Sequence, residues 1–186
     1  MAILNIALMG NEGLKRVADP IDDPQAPEIA KLADDMRDTL ENIASTGIAA
    51  PQVFVSKRIF VYRLPEHLIP SGSKMKPIPW RVLINPVLKP LSDEKRPVGF
   101  EKCLSIPGLH GEVPRFTRVS VTAQQLDGSS IEITASGYHA RLLQHEYDHL
   151  DGILYPQRMT NISDLAYNSE LGDRFYIPRY PALFVE

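Results

Sequence analysis

The sequence predicts an α+β fold in which antiparallel β-sheets pack around a central helix carrying the pattern His-Glu-x-x-His, with a further helix near the N-terminus. Three observations predict it. Helical apolar spacing is confined to two segments, one early and one late. Five short strand-like runs cluster between them, without the regular alternation that would demand a parallel sheet. One of the junctions between runs, Asp127-Gly128, is a strong two-residue hairpin signal.

The first helix is expected over Pro27 to Ala44, where Ile29, Leu32, Met36, Leu40 and Ile43 recur at spacings of three or four. Pro27 suits its first turn. The loop "STGIAAPQ" follows, and Pro51 keeps it from being helical. The strand-like runs are "RIFVYRL" (58–64), "RVLINPVLKP" (81–90), "VGFEKCLSI" (98–106), "RVSVTAQQL" (118–126) and "IEITAS" (131–136). Residues 65–80 read as a long surface loop. The second helix is expected from an N-cap at Ser136 to about Leu150, with Gly152 placed to end it. The segment from Tyr155 onward has mixed signals.

Length and composition bound the function. The 186 residues fit a single domain over 1–186 with room for a core. A net charge of -3 gives no footprint for nucleic acid. No apolar run approaches the roughly 18 residues of a membrane span. The N-terminus lacks the pattern of a secretory signal, and the single cysteine suits a reducing cytoplasm. A cytoplasmic location is therefore expected.

The chemistry centres on "LLQHEYDHLDG" (142–152). His145 and His149 lie one helical turn apart on one face and can share an ion. Glu146 sits beside them, where a carboxylate can take a proton from an activated water. Leu142, Arg141 and Tyr138 continue the same face backwards and would wall a pocket. A catalytic metal usually keeps three protein ligands and one open position. No histidine follows His149, so the third ligand must be sought elsewhere. Two candidates stand: Glu170 in "NSELGD" and Cys103 in "GFEKCLSIPG". On a strand, Glu101 and Cys103 would share a face and Lys102 would take the other. A closed structural zinc site would need more cysteine than this chain has. His67, His110 and His139 show no ligand spacing and are assigned surface or core roles.

Three stretches in order, "STGIAAPQ" (45–52), "EKCLS" (101–105) and "HEYDH" (145–149), resemble the motifs of the peptide deformylase family. "NEGLKRVADPI", "SIPGLHGEVPR" and "QHEYDHLDGILY" extend the likeness over most of residues 1–160. The resemblance implies a hydrolase that removes the formyl group from N-formylmethionine on nascent polypeptides. It implies Cys103, His145 and His149 as metal ligands. Ferrous iron is the implied ion, replaceable by zinc, nickel or cobalt. Glu146 would be the catalytic acid and base. Gln52 and the Leu104 backbone N–H would hold the formyl oxygen, one such donor typically contributing about 2.7–4 kcal/mol. The backbone at Gly47 would contact substrate, and Tyr138 with Leu142 would receive the methionine side chain. Association with the ribosome is inferred from the substrate alone.

This chain departs from the family pattern at Ser45 (glycine in the loop motif), Lys102 (usually glycine) and His110 (often arginine). These bear on substrate range and rate more than on reaction type. Two other readings stay open at this stage. One is a zinc endopeptidase with Glu170 as third ligand. The other is a binding protein that keeps the fold without turnover.

Overall fold

The computed structural model describes residues 2–69, 75–91 and 96–170. Among the described residues two α-helices, α1 (Pro27–Asn42) and α2 (Gly137–Leu150), accompany eight strands. The strands are β1 (Gly47–Ala49), β2 (Ile59–Leu64), β3 (Ile78–Pro90), β4 (Val98–Cys103), β5 (Ile106–Pro114), β6 (Arg118–Gln124), β7 (Ser130–Ser136) and β8 (Ala166–Tyr167). They form a five-stranded sheet in the order β1-β2-β3-β6-β7 and a three-stranded sheet in the order β4-β5-β8. Every ladder between these strands, among the described residues, is antiparallel. The α+β expectation with antiparallel sheets therefore holds.

The larger sheet is covered on both faces, and β2 shows how. Alternate residues of a strand point to opposite faces. Phe60 and Tyr62 pack with Leu143 and Leu150 of α2, while Ile59 and Val61 pack with Met36 and Leu40 of α1. All eight of these side chains are buried. That is why "IFVYRL" reads as a continuous apolar run and not as an alternating one.

Several boundaries differ from the sequence expectation. Helix α1 stops at Asn42 because Ala44 takes a left-handed backbone, φ 50°, which no helix continues through. The expected loop 65–80 loses its last three residues to β3, and its residues 70–74 lie outside those described. The run 98–106 is not one strand. It ends at Cys103, Leu104 and Ser105 turn the chain, and β5 runs back from Ile106, with Cys103 opposite Ile106. The segment "IPGLHGEVP" is thus a strand that periodicity did not reveal. Ser136 does occupy the N-cap position of α2, but its side chain makes no capping hydrogen bond. Gly152 follows with φ 71°, as a helix-ending glycine should.

In β3 the register shifts between Ile84 and Val87 at a bulge. Asn85 sits there with φ 49°, a conformation asparagine tolerates better than most residues. Its amide donates to Ile21 O and Gln124 Oε1, and its carbonyl accepts from Ile21 N–H. These bonds pin the N-terminal segment across the sheet.

Candidate metal centre

Helix α2 presents His145 and His149, and the end of β4 presents Cys103. Their ligand atoms lie within 4.8 Å of one another, the one such group of His, Cys, Asp or Glu among the described residues. Cys103 Sγ lies 3.3 Å from His149 Nε2, and the two imidazoles meet edge to face at 5.1 Å between centroids. Glu170 lies in a short 3-10 turn after β8 and is not part of this group. Of the two candidates for third ligand, the fold brings Cys103 to the histidines.

The donor set fits a metal. His145 Nδ1 is bonded to Glu101 Oε2 at 2.8 Å, which leaves its Nε2 for an ion. A thiolate with two imidazoles is a donor set suited to zinc, iron, cobalt or nickel. Among these buried atoms, Glu146 Oε2 and His149 Nδ1 have no protein partner.

Glu146 is 3% exposed and burial lifts its pKa to about 7. Gly47, in β1, packs against it so closely that a β-carbon would meet Oε1 at 2.3 Å. Gln52 is buried as well. Its Oε1 accepts from Ala49 N–H at 2.9 Å, which turns Nε2 toward Cys103 Sγ (3.4 Å) and Ser105 Oγ (3.2 Å). A cavity of about 530 Å³ opens over these groups, lined by residues that include Gly47, Gln52, Leu104, Tyr138, Leu142 and Glu146. The nine residues assigned to the site from sequence all lie in the metal group or along this cavity.

The model of the polypeptide deformylase family matches residues 3–164. The chain belongs to the polypeptide deformylase family. It is 40% identical over 178 residues to peptide deformylase 2 of Ralstonia nicotianae, covering 95% of this chain and 96% of that one. It is 41% identical over 163 residues to peptide deformylase 1 of Nitrosomonas europaea, covering 88% and 91%. Among solved structures, peptide deformylase from Ehrlichia chaffeensis superposes with a TM-score of 0.77 at 31% identity, covering 88% of this chain and 91% of that one. The Met-Ala-Ser-bound peptide deformylase of Acinetobacter baumannii gives 0.75 at 34% identity, covering 85% and 100%. This deformylase family is one of metal-dependent hydrolases of protein biosynthesis, and the chain is an enzyme of that family.

Behind the deformylase motifs lies a charged layer that sequence reasoning largely missed. Glu101 accepts from Arg115 at both oxygens, 2.8 and 2.9 Å, and from Arg141 at 2.8 Å. Arg115 also holds Asp148, which is bonded in turn to Arg158. Burial opposes ionisation of Glu101, but Arg115 and then His145 outweigh it and hold its carboxyl well below the usual range. Strand alternation had placed Glu101 beside Cys103, and burial bears this out: Glu101 and Cys103 are buried, Lys102 is exposed. Asp148 was visible inside HExxH but carried no signal of its own. Arg115, after a proline at a strand end, offered none. Arg141, placed by helical spacing on the pocket wall, is buried with Glu101 as its partner.

One of the departures, His110, and the helix histidine His139 are also placed. His110 is buried in β5, its Nδ1 3.2 Å from Asn168 Oδ1 and its ring edge-on to Phe100. His139 takes a core role, with Nε2 3.1 Å from the Tyr62 hydroxyl. Tyr155 stacks on His145 at 6.4 Å between centroids, and only a glycine at 111 lets it do so. A β-carbon there would meet Met159 Sδ at 2.5 Å and Tyr155 Cε2 at 2.9 Å.

Proposed function

We propose that this enzyme hydrolyses the formyl group from N-formylmethionine at the start of newly made polypeptides, releasing formate. The single observation that carries the proposal is the convergence of Cys103, His145 and His149 with Glu146 and Gln52 at one cavity. The family relationship and the Met-Ala-Ser complex of the Acinetobacter relative support the substrate class.

Cys103, His145 and His149 would hold a divalent ion, ferrous iron by family resemblance, with zinc, nickel or cobalt able to stand in. When bound, such an ion supplies Lewis acidity and makes a water acidic near neutral pH.

The chain's own residues do the remaining work. Glu146 takes the proton of the attacking water as oxygen bonds to the formyl carbon. It returns that proton to nitrogen as the C–N bond breaks. Burial raises this carboxyl above the ordinary carboxylate range, the direction that return of the proton requires. Gln52 Nε2 and the Leu104 backbone N–H donate to the formyl oxygen as it gains charge. Gln52 is already aimed, because Ala49 N–H fixes its other amide atom. The Gly47 backbone contacts the peptide, while Tyr138 and Leu142 flank the methionine side chain. Action in the cytoplasm, on chains emerging from the ribosome, follows from that substrate.

The test is anaerobic assay of the iron-loaded protein on formyl-Met-Ala-Ser. Formate release by the parent, and its loss in Glu146→Gln with metal retained, is the expected result. A metal-loaded parent that releases no formate overturns the proposal.

A further inference from the structure

Arg141 is 3% exposed, yet it borders the same cavity as Tyr138 and Leu142. Its Nη1 donates to Glu101 Oε1 at 2.8 Å and to Val113 O at 2.7 Å, and its Nη2 to Pro97 O at 2.9 Å. Arg141 and His145 are four residues apart on α2, one turn from each other on one face. The carboxylate of Glu101 is therefore gripped twice by the same helix face. Oε1 takes Arg141 and Oε2 takes His145 Nδ1, each at 2.8 Å. Arg115, reaching from the end of the β4–β5 hairpin, binds both oxygens of the same group.

These bonds differ in what they fix. The Arg115 fork sets the plane of the carboxylate relative to the hairpin that carries Cys103. It reaches α2 only indirectly, through the bond of Arg115 Nη1 to Asp148 near the end of that helix. Arg141 ties the carboxylate to α2 directly, because it joins one oxygen of Glu101 to the helix one turn before the imidazole bonded to the other.

On the metal-binding reading above, we infer that Arg141 is a positioning residue for the metal ligands. It holds Glu101 in register with α2, so that His145 keeps its Nδ1 bond and presents Nε2 toward Cys103 and His149. Partners of this kind, one shell beyond a ligand, typically change metal affinity about 10–100-fold when removed. A purely structural role is the alternative, since Arg141 also ties down backbone carbonyls of β5 and of the segment entering β4. The two roles separate in a double-mutant cycle.

The experiment loads the protein with Co2+ and follows its visible spectrum as a chelator in excess removes the ion. Arg141→Leu, Arg141→Lys, Glu101→Gln and the Arg141→Leu/Glu101→Gln double variant are compared, each with its urea midpoint. We expect Arg141→Leu to speed Co2+ release about 10–100-fold. Arg141→Lys should recover part of the parent's slow release. The double variant should release no faster than Glu101→Gln alone, within about twofold. Release from Arg141→Leu at the parent's rate overturns the inference. So does a double variant in which the two effects multiply, because Arg141 would then act independently of Glu101. Should Arg141→Leu not fold, the same cycle built on Arg141→Lys decides by the same criterion. A parent that takes up no Co2+ removes the metal-binding reading itself, a failure distinct from either of these.

Discussion

Gly47 and Glu146 are in contact through the absence of a side chain: a β-carbon at position 47 would lie 2.3 Å from Oε1 and 2.7 Å from the carboxyl carbon. No real pair of atoms tolerates that separation, so any larger residue moves the carboxylate. Gly47→Ala should lower kcat by about 10–100-fold, the scale of a misplaced catalytic group. KM should change far less. Steady-state kinetics on formyl-Met-Ala-Ser check this. An alanine variant with the parent's kcat would show that Glu146 has room to retreat without cost.

Cys103 and Glu170 were alternative third ligands, and the fold groups only Cys103 with the histidines. Cys103→Ser should lose most of its metal on dialysis and lose activity by at least about 100-fold. Glu170→Gln should keep both. Metal content by atomic emission, measured beside formate release, checks the pair. A metal-replete Cys103→Ser protein with peptidase activity would restore the endopeptidase alternative.

The buried carboxylate of Asp148 stands between Arg115 and Arg158. Removing one partner of a buried charge cluster leaves the others uncompensated, at a cost of about 3–5 kcal/mol. Asp148→Asn should show that loss in urea unfolding, although it changes no metal ligand. A midpoint within error of the parent would mean that water reaches this layer.

The His139–Tyr62 pair sets an acid-side dependence of stability. Burial, with Arg81 adding to it, depresses His139 from 6.5 to about 4. The unfolded chain therefore takes up a proton that the folded protein refuses. The stabilisation is full above pH 6.5 and is lost as pH falls toward 4. After allowing for partial screening by solvent, the loss by about pH 5 is about 1 kcal/mol. Glutamine can still bond to the tyrosine but does not titrate. His139→Gln should thus flatten the stability curve between pH 6.5 and 5 by about that amount. Urea midpoints across that range check it. Carboxylates such as Glu101 contribute their own loss mainly below this window, because they bind protons in the unfolded chain only near pH 4.5.

How much of this was legible in the sequence depended on the range of the interaction. The histidine helix, its ending at Gly152 and the hairpin at Asp127-Gly128 are local patterns, and each appears where spacing put it. Helix α1 was legible but for its last two residues, because Ala44 takes a left-handed backbone. Strand β5 was not legible, because its proline and glycines interrupt any alternation while its partner β4 supplies the pairing. The grouping of Cys103, His145 and His149 was readable because motif and resemblance pointed to the same three residues. The layer behind them was not. Glu101 and Arg115 come from the β4–β5 hairpin and Arg141 and Asp148 from α2, the bonds between the two spanning 33 and 40 positions, and nothing local to any of them announces the pairing.

Cys103 belongs to the smaller sheet, whereas the two histidines ride on the helix that packs against the larger one, and Cys103 and His149 are 46 positions apart. The Cys103, His145 and His149 group thus does not exist until the two sheets have docked. An ion bound there would act as a rivet across the seam, its binding energy adding directly to the energy of assembly. Occupancy of such a site would then report that the molecule has finished folding.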